Sequence, residues 1–293
     1  MNWLQVRIDL AEMQAETVAQ ALIEMGALAI EYSDAGDNPI FEPAPGCTPL
    51  WDKTQISALF DGGVSQTAIQ LIVAKSIAPT AVPRIHFALL DDRNWVKEWQ
   101  QELSPMQFGE HLWICPPRRP CPDAHATVVT MEPGLGFGTG SHATTRLCLE
   151  WLSRQALRGK TMLDFGCGSG ILGIAGLLLG ASQVTAVDID EHALTATRDN
   201  ARQNDCLPQL RVLSATCLDP IAGFDVIVAN ILSSTLIELE PKLRDYSHSG
   251  ADIVLSGILT SQAEEVASAY EKWVNLRRSA EQDDWVILTG KVN

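Results

Sequence analysis

The sequence lacks the marks of several protein classes. Its seven cysteines are odd in number and scattered, with no CxxC pair. That excludes a disulfide framework and the paired-cysteine zinc patterns, and reads as reduced thiols. The longest mostly apolar stretch, Ile171 to Ala181, is well short of the ~20 residues that cross a bilayer. The opening MNWLQVRIDL sets Arg7 and Asp9 into an alternating pattern and has no apolar signal-peptide centre. Basic residues are outnumbered: 21 Lys and Arg stand against 36 Asp and Glu, a formal charge of −15. Such a surface repels a phosphate backbone and suits a basic partner. No internal repeat or low-complexity tract interrupts the chain. The expectation is a cytoplasmic protein that binds neither membrane nor nucleic acid.

What is present points to two domains. The 293 residues exceed the ~150 of one average domain, and 46% hydrophobic content supplies a sizeable core. Leu4, Val6, Ile8 and Leu10 alternate with polar residues as in a strand. Val18, Leu22 and Met25 recur at helical spacing, and Gly26 supplies a stop. Strands at 27–32, around 56–60 and at 84–90, with a helix at 65–77, complete a strand-helix-strand-strand-helix-strand order. That is the order of a ferredoxin-like α+β unit. Residues 94–103, which carry Trp95 and Trp99, read as a linker helix, and Pro105, Pro116, Pro117 and Pro120 mark the entry to a second domain. The division predicted is 1–92, a linker at 93–104, and 105–293.

From Thr127 onward strands alternate with helices. Strands are predicted at 127–131, 161–165, 183–188, 210–214, 225–229 and 252–256. Helices are predicted at 141–156, 171–179, 191–203, 234–244 and 260–272. This is an α/β doubly wound sheet. Trp285 to Gly290 follows another extended segment with no helix between, which predicts an antiparallel last strand.

The chemistry concentrates at Asp164-Phe165-Gly166-Cys167-Gly168-Ser169-Gly170, where an apolar strand runs into alternating glycines and then a helix. Glycines let a ligand approach the main chain, and the helix start offers free N–H groups. The next strand ends at Asp188, placed to meet ribose hydroxyls. Gly168, Gly170 and Gly173 also fit GxGxxG, so a nicotinamide oxidoreductase stays open at this point. Against it, Asp164 opens the loop with an acid, where a pyrophosphate gains nothing from negative charge. The expected role of Asp164 is to brace the N–H groups of the turn near a cationic tail.

A second glycine-rich stretch, Pro133 to Gly140, precedes a helix. Phe137 and Gly138 are candidates to close over a cofactor, Ser141 to cap the helix, and His142 and Thr145 to share one face of its first turn. His142 is a candidate base or a packing residue. Asn230 stands at the carboxyl end of a central strand, where ligands of open α/β sheets bind. Cys115, Cys121 and His125 match no common zinc spacing, and no metal site is expected.

Together, Asp164 to Gly170, Val187-Asp188-Ile189-Asp190, Pro133 to Thr145 and Val228-Ala229-Asn230-Ile231-Leu232 resemble the ribosomal protein L11 methyltransferase family, PrmA, within the class I S-adenosylmethionine-dependent methyltransferases. The resemblance covers essentially the whole chain. It departs at Gly136 and Ala143, where Ala and Pro are expected. It implies a Rossmann-like methyltransferase domain preceded by the ferredoxin-like one, and S-adenosylmethionine as cofactor. It also implies methylation of lysine ε-amines and the N-terminal α-amine of L11, free of the ribosome, by a monomer. Thr145, Gly166, Asp188, Asn230, Phe137, Gly138 and Gly168 are then expected at the cofactor, with Asn230 orienting the reacting amine. Between Ile8 and Asp52 there is no Lys or Arg but nine acids: Asp9, Glu12, Glu16, Glu24, Glu31, Asp34, Asp37, Glu42 and Asp52. They suit docking of a basic substrate, or simply a solvated face. The rival readings are a small-molecule amine methyltransferase, a non-catalytic cofactor-binding module, and the NAD-dependent oxidoreductase.

Overall fold

The computed structural model describes residues 2–36, 40, 49–77, 83–91, 104–117, 119–131, 140–218 and 223–293. The expected linker helix at 94–103, Phe137 and Gly138 lie outside the described residues. The chain divides into two compact units, Met1–Lys97 and Glu98–Asn293.

The first unit runs β1 (Asn2–Ala11), α1 (Glu12–Glu24), β2 (Ala29–Asp34), β3 (Lys53–Asp61), α2 (Gln66–Ser76), β4 (Ile85–Asp91). The strands form one antiparallel sheet in the order β2-β3-β1-β4, which is the layout of a ferredoxin-like split βαβ unit. Strand alternation puts Leu4, Val6, Ile8 and Leu10 on the same buried face as Ile56, Ala58 and Phe60. Val18, Leu22, Ile69 and Val73 of the helices close that core. α1 stops where expected: the Gly26 N–H reaches the Ile23 carbonyl at 2.9 Å and the Ala27 N–H the Leu22 carbonyl at 3.0 Å.

The second unit opens with β5 (Met106–Phe108), β6 (Leu112–Cys115) and β7 (Thr127–Thr130). These form a three-stranded sheet of their own. The strand expected at 127–131 therefore does not enter the doubly wound sheet; it pairs parallel with β6. Then come α3 (Ala143–Ser153), β8 (Thr161–Phe165), α4 (Ile171–Leu178), β9 (Gln183–Asp188), α5 (Glu191–Gln203), β10 (Leu210–Ser214), β11 (Phe224–Asn230), α6 (Ser233–Asp245), β12 (Ser247–Leu259), α7 (Ala263–Tyr270), β13 (Arg277–Gln282) and β14 (Trp285–Lys291). The large sheet has the order β10-β9-β8-β11-β12-β14-β13. β10, β9, β8, β11 and β12 are parallel, and β14 is antiparallel to both neighbours, as predicted. Asp283 and Asp284, both at positive φ (50° and 64°), make the two-residue turn between β13 and β14.

The course of the chain fixes where a ligand can sit. From β8 it steps outward to β9 and β10, then returns across β8 to β11 and β12. That reversal leaves a crevice at the carboxyl ends of β8 and β11. Leu147, Leu149 and Ile174 cover one face of the sheet; Leu236, Leu243, Val266 and Tyr270 cover the other.

Candidate active site

The loop leaving β8 turns back on itself at three glycines. Gly166, Gly168 and Gly170 have φ of 74°, 54° and 79°, a region that costs other residues about 1–2 kcal/mol each. The Gly166 and Cys167 N–H groups donate to the Val187 carbonyl at 2.8 and 3.0 Å. The Gly168 N–H donates to Asp188 Oδ2 at 2.9 Å, and the Asp190 N–H to Asp188 Oδ1 at 3.0 Å. α5 holds the loop from outside: the Thr197 hydroxyl donates to the Gly168 carbonyl and the Asn200 amide to the Ser169 carbonyl, each at 2.9 Å. Asp188 thus braces two main-chain turns, and each carboxylate oxygen retains acceptor capacity toward the crevice.

Asp164 differs from expectation. It does not brace the glycine turn, where the Gly166 and Cys167 N–H groups go to Val187, that of Gly168 to Asp188 and that of Gly170 to the Cys167 carbonyl; it accepts the Gly173 N–H, in the first turn of α4, at 2.8 Å. The side chain is buried, and burial pushes its pKa up to about 7, partly offset by the Gly173 hydrogen bond and reinforced by the Asp188 charge. Below 3.8, folded and unfolded chains both carry this proton and Asp164 costs nothing. Between there and about 7 the unfolded chain loses the proton while the folded chain keeps it, so this group removes stability as pH rises. Asp164→Asn, neutral throughout and still able to accept from Gly173, should melt higher than the parent near pH 7.5 and nearly level with it near pH 4. Thermal unfolding without ligand at the two pH values checks this. An offset that does not change with pH would mean that the carboxyl is ionised throughout.

Two expected site residues meet across 85 positions of sequence: Asn230 Nδ2, at the end of β11, donates to Thr145 Oγ1 in the first turn of α3 at 3.2 Å. Thr145 is buried. This bond fixes the Asn230 carboxamide, and no described residue hydrogen-bonds to its oxygen. The cap of α3 is His142, not Ser141 as expected: the His142 ring accepts the Thr144 N–H at 3.4 Å, and Nδ1 lies 2.8 Å from Thr144 Oγ1. A neutral ring that accepts through Nδ1 carries its proton on Nε2. His142 also meets Trp285 edge-on, with ring centroids 5.3 Å apart. Sequence reasoning missed Trp285, which arrives from β14 with no local signal.

These groups border one cavity of about 610 Å³, whose walls include His142, Thr145, Gly166, Gly168, Asp188, Asn230 and Trp285. Ile189, immediately after Asp188, also lines it and is 85% exposed. The wall is mostly apolar, with Phe165, Ile231 and Leu232 beside Asn230. Among the described residues no three His, Cys, Asp or Glu side chains gather as a metal site. Cys167 also lines the cavity, but burial holds its thiol far above the usual range, so it acts as a small wall residue.

The GxGxxG reading fails on the fate of its donors. At the second glycine, where a pyrophosphate would approach the main chain, the Gly170 N–H is already held by the Cys167 carbonyl at 2.7 Å, and the Gly168 N–H is held by Asp188 at 2.9 Å.

The family model described as ribosomal protein L11 methyltransferase, PrmA, matches residues 2–293. The chain belongs to this family. It is 45% identical over 291 residues to the ribosomal protein L11 methyltransferase of Pseudomonas fluorescens Pf-5, and 42% identical to that of Aeromonas hydrophila, covering 99% of each chain in both cases. Among solved structures, the ribosomal protein L11 methylase of Lactobacillus delbrueckii aligns with a TM-score of 0.59 at 29% identity, over 65% of this chain and 100% of the other. PrmA membership and the class I methyltransferase topology of the second unit agree with the resemblance read from the motifs. No helix among the described residues is long and apolar enough to cross a membrane.

Proposed function

We propose that this PrmA-family chain transfers methyl groups from S-adenosylmethionine to amines of ribosomal protein L11, at lysine side chains and the N-terminal α-amine. The observation that carries this reading is the convergence of the glycine loop, Asp188 and the Asn230–Thr145 pair on one apolar-walled cavity. The residues present fit the donor. The volume, about 610 Å³, lies within the ~300–1,000 Å³ of small-molecule sites. Asp188 has acceptor capacity for two vicinal hydroxyls, Ile189 offers an apolar surface for a base, and Gly166 allows close approach of the main chain.

The donor supplies a methyl group already activated on a sulfonium, so the protein contributes orientation and exclusion of water. The attacking amine must be neutral. At pKa ≈ 10.4, releasing a lysine proton near neutral pH costs ~4–5 kcal/mol, against ~1 for an α-amine. Walls built from Phe165, Ile231, Leu232 and Trp285 disfavour the ammonium and lower that cost. The Asn230 carboxamide oxygen accepts one amine N–H and so aims the nitrogen lone pair, while Thr145 holds the carboxamide. Asn230→Ala should lower kcat by roughly 10–100-fold, the worth of one or two well-placed hydrogen bonds, while donor affinity measured by calorimetry falls less. Equal losses in both would make Asn230 a binding residue alone.

The first unit recognises the substrate in this reading. Asp9, Glu12, Glu16, Glu24, Glu31 and Asp52 are exposed on it, and complementary charge speeds the encounter with a basic protein. The functional division is 1–92 for recognition, 93–104 as linker and 105–293 for transfer. The chain acts as a cytoplasmic monomer on L11 free of the ribosome, without contacting nucleic acid. The test is incubation with isotopically labelled donor and a ribosomal-protein extract from cells lacking this enzyme. Label should enter one basic protein, L11, in multiples of a methyl mass; label in small molecules alone, or in none, would reject the substrate.

A further inference from the structure

Behind the cavity wall, one polar side chain sits in an otherwise apolar strand. β12 carries Ile253, Val254 and Leu255 through the core, with Val254 on the α3 side of the sheet and Ile253 and Leu255 on the α6 side. Ser256 comes next and is fully buried. Here the pairing with β14 slips: Leu255 faces Leu288, but Ile258 faces Val286, so β12 holds one residue more than its partner. Such a β-bulge bends a strand and re-aims its side chains. Beyond it Ile258 lies on the same side as Leu255, which plain alternation would forbid.

Ser256 touches each element that delivers a side chain to the amine end of the cavity. It is the register partner of Asn230 between β11 and β12, and its carbonyl accepts the Ile231 N–H at 3.2 Å. Its hydroxyl lies 3.3 Å from the Thr144 carbonyl, in the first turn of α3, and 3.3 Å from the Val286 carbonyl in β14. One proton is thus shared between two carbonyls. Thr144 adjoins Thr145, which holds Asn230. Val286 adjoins Trp285, which meets His142, the cap of α3. Gly257 reaches the cavity wall, and Ser256 stands behind it. A buried hydroxyl costs free energy unless it is hydrogen-bonded, and here its bonds go to the segments that carry the site.

We propose that Ser256 is a positioning residue for methyl transfer. Its hydroxyl clips the start of α3 to the start of β14, and so fixes Thr145, His142 and Trp285 around the Asn230 carboxamide. The proposal rests on the reading of that end of the cavity as the place where the amine meets the donor. Ser256 touches neither reactant; it acts through the residues that do.

The test compares the full-length parent with Ser256→Ala, Ser256→Cys and Tyr270→Phe. Tyr270→Phe also deletes a buried hydrogen bond, to the Leu236 carbonyl at 2.6 Å, but away from the clip. With labelled donor and L11, Ser256→Ala should lower kcat roughly 10-fold, while KM for L11 and affinity for S-adenosylhomocysteine stay within about 2-fold. Ser256→Cys, a weaker donor on the same side-chain frame, should fall between. Tyr270→Phe should melt lower than the parent and keep its kcat. A second readout needs no turnover: with 5-fluorotryptophan incorporated, the Trp285 resonance, assigned by its loss in Trp285→Phe, should move in Ser256→Ala and stay in place in Tyr270→Phe. An unchanged kcat in Ser256→Ala would overturn the proposal, as would an unmoved Trp285 resonance or a kcat loss matched by Tyr270→Phe. A parent that leaves L11 unlabelled would reject the substrate, and the fluorine resonance then decides the role of Ser256 alone. If Ser256→Ala does not fold, Ser256→Cys is read against the same outcomes.

Discussion

Asp188→Ala is expected to abolish useful donor affinity, lowering it by about 100-fold or more. The carboxylate accepts from Gly168 and Asp190 at 2.9 and 3.0 Å, and in the proposed complex it also receives the ribose hydroxyls. Hydrogen bonds to a charged acceptor are each worth about 1.5–3 kcal/mol, and tenfold in affinity corresponds to about 1.4 kcal/mol. Two lost ribose contacts account for the expected factor, and a loosened glycine loop adds to it. Asp188→Asn keeps one acceptor oxygen and should lose less. Calorimetry with S-adenosylhomocysteine separates the two variants, and thermal unfolding without ligand shows how much of the loss is a loosened loop. Unchanged affinity in Asp188→Ala would remove the ribose from this end of the cavity.

Gly257→Ala should unfold the second unit at markedly lower temperature. Gly257 sits at φ 83°, and a Cβ there would lie 2.3 Å from the Ile231 carbonyl oxygen and 2.8 Å from its carbon. The clash is with main chain, so no side-chain rotation relieves it. Either β12 or the segment after β11 must move, and Asn230 adjoins that segment. A cost of ~3 kcal/mol or more is expected from left-handed strain and overpacking together, or roughly 6–12 °C for a unit of this size. Gly250→Ala is the control: its φ is 87°, but nothing lies within 4 Å of the added atom. It should show the conformational cost alone, ~1–2 kcal/mol. Equal effects at the two positions would mean that the approach of Ile231 contributes nothing.

The parts of the fold that were legible in the sequence are those governed by local rules. Strand alternation in Leu4 to Leu10, the glycines after Phe165, and the antiparallel last strand that begins at Trp285 each announce themselves within a few residues. The small sheet did not. β5 and β6 have three and four residues, too few for a period to show, and alternation in Thr127 to Thr130 says nothing about which sheet receives the strand. The site divides the same way. Gly166, Gly168 and Asp188 follow from chain order around a parallel sheet, and Asn230 from its place at a strand end. Its bond to Thr145 and the meeting of His142 with Trp285 depend on how α3 lies across β11 and β14, which no spacing in the sequence encodes. Asp164 shows the limit of chemical intuition: an acid at a glycine loop was the right element, but its partner proved to be the helix that follows.

The most direct measurement is a crystal structure of the chain with S-adenosylhomocysteine. The account predicts the adenosyl group in the cavity, ribose hydroxyls within hydrogen-bond distance of Asp188, the base against Ile189, and the sulfur facing the Asn230 carboxamide. A ligand bound elsewhere, or one whose sulfur points away from Asn230 and Thr145, would contradict it.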